Sequence, residues 1–270
     1  MRKHITGFSN PTVKYLRSLR DKKHRKRSGQ FLVEGLRLLE DARSCGYLPR
    51  QLVMAEGTER KAAAGDLIAR LEADVSSAGG EVITTTADIL SKITGKSNAQ
   101  SVAGVFDELD TCLDRLERSS AAIWLVAQDL RDPGNLGTML RTGDAVGAGG
   151  LILIDDCADP FSAEAVRASM GAVFTQSLAQ ARWEDFVPWL RGGPGQLVAA
   201  SLRDAVPYRG AAYEAPCFIL IGNESQGLPE AYEAECDLRV TMPMKGRADS
   251  LNAAVAGAVL SYEVLAGLEG

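Results

Sequence analysis

The chemistry-bearing residues of this chain lie at loop ends, and few residue types are left to do the work. The only histidines, His4 and His24, sit in the N-terminal head, so the rest of the chain has no imidazole for acid–base or metal chemistry. The five cysteines (Cys45, Cys112, Cys157, Cys217, Cys236) are odd in number, scattered and never in a C-x-x-C pair. That predicts no zinc site, no other metal and no disulfide. Polar side chains stand in three strings, Asn135-x-Gly137-x-x-x-Arg141, Gly222-Asn223-Glu224-x-x-Gly227 and Ser250-Leu251-Asn252, the first two of which contain glycine. Glycine lets backbone approach a ligand closely. The turn Gly222-Asn223-Glu224 is therefore able to bring backbone close to a ligand.

The elements that must position these residues can be read from the apolar pattern. Phe218–Ile221 is an unbroken apolar run too short for a helix, and reads as a strand buried on both faces. Leu238–Met242 is a second short strand, ended by Pro243, which cannot donate to a ladder. A polar loop, Lys245–Asp249, then leads to a helix starting near Ser250, which can cap it. Strand ends and a helix start gathered in this way are where open parallel sheets bind ligands. The P-loop string is absent, and the cluster Gly147, Gly149, Gly150 follows a helix and precedes a strand, the reverse of a dinucleotide fingerprint. Those glycines read as a helix stop. In QDLRDPGNLG, Asp132-Pro133-Gly134 reads as a turn, with Asn135 placed to cap a helix beginning at Leu136. On its own, Arg141 is simply an exposed arginine on that helix.

The net charge of −5 conceals an asymmetry. Ten Lys/Arg against one acid give residues 1–27 a charge of +9, which leaves −14 for the remainder. A basic head on an acidic body suggests a polyanion held at one place, through Lys14, Arg17, Arg20, Lys22, Lys23, Arg25, Lys26 and Arg27. No apolar run reaches the roughly 18 residues of a membrane helix, and no signal-peptide core is visible, so a cytoplasmic protein without a membrane partner is expected.

Apolar spacing predicts a basic helix over 10–27, strands Gln30–Glu34, Gln51–Ala55, Glu81–Thr85 and Val102–Phe106, and helices Gly35–Cys45, 59–78 and Asp88–Ile93. This makes a small α/β domain, residues 1–107, followed by a linker helix over 108–119. Residues 120–270 alternate again: strands at 122–127, 150–154, 172–178 and 196–201, and helices at 136–146, 162–170 and 183–190. The expectation is a parallel sheet covered by helices.

Taken together, the three polar strings, with Pro243-Met244 ahead of the third and RASMGA (Arg167–Ala172) between the first two, resemble the motifs of the SpoU/TrmH family of SPOUT-class RNA ribose 2′-O-methyltransferases. The resemblance spans residues 121–265. Asn10-Pro11…Lys14 and FLVEG (Phe31–Gly35) resemble the N-terminal extension of the family's ribosomal-RNA branch, a small α/β RNA-binding domain like those of certain ribosomal proteins.

The resemblance implies a C-terminal trefoil-knotted α/β domain, a homodimer, and S-adenosyl-L-methionine as cofactor, contacted by backbone at Gly222, Met242 and Leu251. Met242 is a mild departure from the isoleucine common in the family. It also implies that Arg141 is the central catalytic residue, in its own subunit's site or the partner's. Asn135, Glu224, Ser250 and Asn252 are the other catalytic candidates. The substrate implied is RNA, foremost large-subunit ribosomal RNA. The alternatives are transfer RNA, or a non-catalytic ribosome-assembly factor on the same fold.

Overall fold

The computed structural model describes residues 2–58, 62–96 and 99–269. Contacts divide it into two units, Met1–Leu109 with Phe161–Phe174, and Asp110–Pro160 with Thr175–Gly270.

The first unit begins with a strand that the sequence did not announce, β1 (Arg2–Ile5). The single basic helix expected over 10–27 is two helices, α1 (Pro11–Ser18) and α2 (Lys22–Ser28). The break has a local cause: Asp21 accepts a hydrogen bond from the Lys23 amide at 2.8 Å and caps a new helix. There follow β2 (Gln30–Glu34), α3 (Leu36–Ser44), β3 (Gln51–Ala55), α4 (Ala62–Ser77), β4 (Glu81–Thr85), α5 (Ala87–Thr94) and β5 (Val102–Asp107). The first three residues of the helix expected over 59–78 lie outside the described residues. The strand order is β1-β4-β3-β5-β2, with β5 antiparallel to both of its neighbours and the other pairs parallel.

No linker helix forms over 108–119; two 3-10 turns, Leu113–Arg115 and Arg118–Ser120, stand there instead. The backbone is diverted into other bonds. The Gln180 amide donates to the Thr111 carbonyl at 2.9 Å, and the Trp124 indole donates to the Arg118 carbonyl at 2.9 Å.

The later part of the chain runs β6 (Ile123–Gln128), α6 (Pro133–Ala145), β7 (Gly150–Ile154), α7 (Ala163–Ala168), β8 (Ser177–Ala181), α8 (Trp183–Arg191), β9 (Gln196–Ala200), β10 (Val206–Pro207), β11 (Cys217–Ile221), α9 (Glu230–Ala234), β12 (Leu238–Thr241) and α10 (Ala253–Glu269). Its sheet is parallel throughout, in the order β10-β12-β9-β11-β6-β7-β8. β6, β7 and β11 are buried along their whole length, as strands covered on both faces must be.

The strand expected at 172–178 starts later, at Ser177. Ala172, Val173 and Phe174 are apolar because they are buried in a turn, where the Ala172 amide bonds Ser169 and the Phe174 amide bonds Gly171. The excursion Phe161–Phe174 belongs to the first unit: α7 packs on β2, and the Phe161 ring lies 4.9 Å from that of Phe31.

Of the three clustered glycines, only Gly147, at φ +67°, is a helix stop. A Cβ on Gly149 would lie 2.5 Å from the Trp124 ring, and one on Gly150 would lie 2.1 Å from the Ser177 carbonyl. Both are required by close packing.

Candidate functional site

The segments that follow β6, β11 and β12 carry the three sequence strings, the first of them inside α6, and two hydrogen bonds tie those strings together. The Asn252 Nδ2 donates to Asn135 Oδ1 at 2.9 Å, and the Asn135 Nδ2 donates to Glu224 Oε1 at 3.1 Å. The Arg131 and Asp132 amides also donate to the Glu224 carboxylate, at 3.4 and 3.3 Å. Burial works to raise the Glu224 pKa, but Asn135 and these amides outweigh it and hold the group below the usual carboxylate range. Glu224 is therefore an anion at neutral pH, an acceptor that draws the β6 and β11 loops together.

Each member of this chain is placed by local chemistry, not always the chemistry expected. The cap of α6 is Asp132, whose Oδ1 accepts from the Asn135 amide at 2.7 Å, with Pro133 at the first helical position. Asn135 stands inside the first turn, leaving its side chain free to bond Glu224 and Asn252. α10 starts at Ala253, and Asn252 is its cap, with Oδ1 accepting from the Ala254 and Val255 amides at 3.0 and 3.3 Å. Ser250 is exposed and lines the pocket, but it caps nothing. Asn223 is a further member, which the sequence places only in a turn. Its Oδ1 accepts from the Ser225 and Gln226 amides, and its Nδ2 donates to the Asp129 carbonyl at 2.8 Å, so it shapes the turn that presents Glu224. An asparagine after a strand and before a glycine is a turn signal, and in that sense it was visible.

Beside this network lies a pocket of about 390 Å³, within the ~300–1,000 Å³ range of small-molecule sites. Gly222, Met242 and Leu251 all line it, together with Glu224, Asp249 and Ser250. A Cβ on Gly222 would stand 2.7 Å from the Gly227 and Leu228 backbone, so only glycine lets the β11 loop fold back into the pocket wall.

Arg141 is not brought to this pocket. It lies six residues past Asn135, which at ~100° per residue turns its side chain about 120° away from that of Asn135. It is exposed, and its guanidinium makes no ion pair or hydrogen bond among the described residues. Three of the cysteines are poor nucleophiles: burial pushes the Cys157 pKa up to about 11, and those of Cys217 and Cys236 up to about 12.

In the basic head, Lys14, Arg17, Arg20, Lys22, Lys23, Lys26 and Arg27 are exposed. Arg25 is not. It is 3% exposed and donates to the Leu19 carbonyl at 2.8 Å, tying α2 back onto the end of α1. Its charge is spent on the fold, and it leaves the set of RNA contacts.

Comparison with known proteins adds the following. The model of the SpoU rRNA Methylase family matches residues 122–262, and that of the MRM3-like substrate binding domain matches residues 10–104. The 23S rRNA (guanosine(2553)-2′-O)-methyltransferase RlmP of Bacillus subtilis is 28% identical, over 97% of this chain and 99% of its own. The 23S rRNA (uridine(2479)-2′-O)-methyltransferase of Streptomyces viridochromogenes is 30% identical, over 92% of this chain and 86% of its own. Among solved structures, the AdoMet-bound rRNA methyltransferase from Sinorhizobium meliloti superposes with a TM-score of 0.92 at 37% identity, covering 99% of this chain and 98% of its own.

Proposed function

This chain belongs to the SpoU rRNA methylase family, and from that premise we propose that it transfers a methyl group from S-adenosylmethionine to a ribose 2′-hydroxyl of large-subunit ribosomal RNA. The observation that carries the reading is the Asn252–Asn135–Glu224 hydrogen-bond chain, which joins the three family motifs beside a pocket lined by Gly222, Met242 and Leu251. Similarity over nearly the whole chain to two enzymes named for 23S ribosomal RNA supports the substrate class.

The pocket residues fit this cofactor. Ile221, Leu228 and Val240 give apolar walls for a flat ring, glycine opens the backbone for hydrogen bonding, and Glu224 and Asp249 complement a cation. When bound, S-adenosylmethionine supplies an electrophilic methyl group on a sulfonium. The protein must orient the ribose hydroxyl and help it lose its proton. Arg141, as a guanidinium, is always charged and cannot serve as a base. It binds the phosphate next to the target ribose and stabilises the charge growing on the 2′-oxygen. Glu224, held by three donors, keeps the β6 and β11 loops in register, and the hydroxyl proton leaves to solvent as the methyl group is transferred. Asn135 and Asn252 keep that register, with Ser250 at the ribose. The exposed cations of α1 and α2 supply salt-sensitive phosphate contacts.

The reading extends to a trefoil knot and a homodimer. From β12, near the sheet edge, the chain returns so that α10 packs on α6, β11 and β6 at the sheet centre, the path a knotted C-terminus takes. Val255, Val259 and Tyr262 form an apolar stripe along α10 and are 48%, 36% and 56% exposed, which a second copy would cover. Arg141 then serves the partner's site, which accounts for its not lining the pocket of its own chain. The RNA substrate, and cysteines scattered in the sequence with no C-x-x-C pair, support a reducing, cytoplasmic setting.

The direct test is to map 2′-O-methylation across all RNA of a strain lacking the protein. One site in the large-subunit RNA should vanish, return with the wild-type gene and stay absent with Arg141→Ala. A site lost only from transfer RNA would move the substrate, and no lost site would overturn the reading.

A further inference from the structure

The wall of the same pocket holds a second polar cluster, in which Ser201, Arg203 and Glu233 clasp one another. Glu233 is 5% exposed. Its Oε1 accepts from the Ser201 hydroxyl at 2.6 Å, and its Oε2 accepts from Arg203 Nη1 at 3.2 Å. The Ser201 Oγ in turn accepts from the Arg203 amide at 3.0 Å, which closes the loop after β9 on itself. All three residues line the pocket that Gly222, Met242 and Leu251 also line.

We infer that Arg203 receives the carboxylate at the amino-acid end of the cofactor, and that Glu233 is the positioning residue that aims it. This rests on the methyltransferase reading. The argument is one of charge. Arg203 is the only cation among the described residues lining the pocket, against Glu224, Glu233 and Asp249. S-adenosylmethionine carries two cations, the sulfonium and the ammonium, and one anion, its carboxylate. A carboxylate in a pocket otherwise lined by acids needs a partner, and a single guanidinium meets it. The guanidinium has five N–H donors in a fixed fork. Only its bond to Glu233 is made among the described residues, so a bidentate face is left for a ligand. The ammonium and sulfonium are left to Asp249 and Glu224. Glu233 pins one edge of the guanidinium and Ser201 fixes the backbone beneath it, so little side-chain freedom is lost on binding.

The experiment is isothermal titration of wild type, Arg203→Met and Glu233→Gln with two ligands, S-adenosylmethionine and 5′-methylthioadenosine, which lacks the amino-acid end. Arg203→Met keeps the apolar stem, and its thermal melt checks the fold. It should weaken S-adenosylmethionine by about tenfold or more, the size of a lost charge-assisted pair, and leave 5′-methylthioadenosine unchanged. Glu233→Gln should give a smaller loss of the same selective kind. Unaltered S-adenosylmethionine affinity in Arg203→Met, or an equal loss for both ligands, overturns the assignment. Wild type that binds neither ligand would instead overturn the methyltransferase reading itself.

Discussion

Asn252 and Asn135, 117 residues apart in the chain, meet through one hydrogen bond of 2.9 Å, and Asn252 caps α10 with its other side-chain atom. The two functions of that amide are separable, because the cap uses the oxygen and the bond to Asn135 uses the nitrogen. Asn252→Asp keeps a good cap but has no donor for Asn135. If Asn135 turns its amide round to meet the new carboxylate, it gives up Glu224, so the relay breaks either way. The Asp variant should melt close to wild type and lose about tenfold or more in kcat, whereas Asn252→Ala should also lose about 1 kcal/mol of stability. Full turnover by Asn252→Asp would remove the relay from the mechanism.

Arg141 has no partner among the described residues, so its removal should cost the fold little. Arg141→Ala should stay within about 0.5 kcal/mol of wild-type stability and lose most of its activity. Arg141→Lys should rescue little, because an ammonium cannot reproduce a bidentate grip. If the residue acts in the partner's site, mixing inactive Arg141→Ala with an inactive Glu224→Ala variant should restore activity in the mixed dimers. Charge on the α10 stripe, as in Val255→Glu, should shift the sedimentation coefficient to that of a monomer.

Glu224 makes a pH prediction with a definite sign. Its folded pKa lies below the unfolded value, so its contribution to stability is complete above the unfolded pKa of about 4.3 and is lost as pH falls through the lower folded value. Asn135→Ala removes a donor to the anion and should shrink that contribution. Thermal melts of the two proteins from pH 7 to pH 3 should therefore differ most near neutrality and converge in acid. A constant gap across the range would mean that the bond from Asn135 does not favour the charged form.

Arg25 and Lys26 are neighbours in the sequence with opposite expected phenotypes. Arg25→Ala should lower the melting temperature, since a buried acceptor, the Leu19 carbonyl, loses its donor. Lys26→Ala should leave melting unchanged and reduce the salt slope of RNA binding by about 1. RNA titrations at several salt concentrations, run beside thermal melts, distinguish the two.

The sequence was informative where one physical signal dominated. Buried parallel strands such as Cys217–Ile221 are runs of apolar residues with no alternation, and their ends were readable to within a residue. The polar strings at Asn135, Glu224 and Asn252 were readable through their resemblance to the family's motifs, since taken singly Asn135 and Ser250 pass for helix caps. Reading failed where a residue type had two uses. Val173 and Phe174 are apolar for a buried turn, not a strand, and Leu113 for a 3-10 turn, not a helix. Asp132 and Asn135 can each cap a helix, and only backbone geometry says that Asp132 does so.

By itself, then, the sequence determined the α/β class, the parallel sheet and the basic head, because each is a local consequence of apolar period or charge, and it carried the three strings as a resemblance. The tertiary structure alone decided which atoms meet. That Asn252 donates to Asn135 while capping its own helix, that Arg25 is buried among surface cations, and that Arg203 faces the same pocket as Gly222 all depend on contacts between residues far apart in the chain. No local pattern encodes them, since burial and hydrogen-bond partners exist only once the sheet has brought its strand ends together.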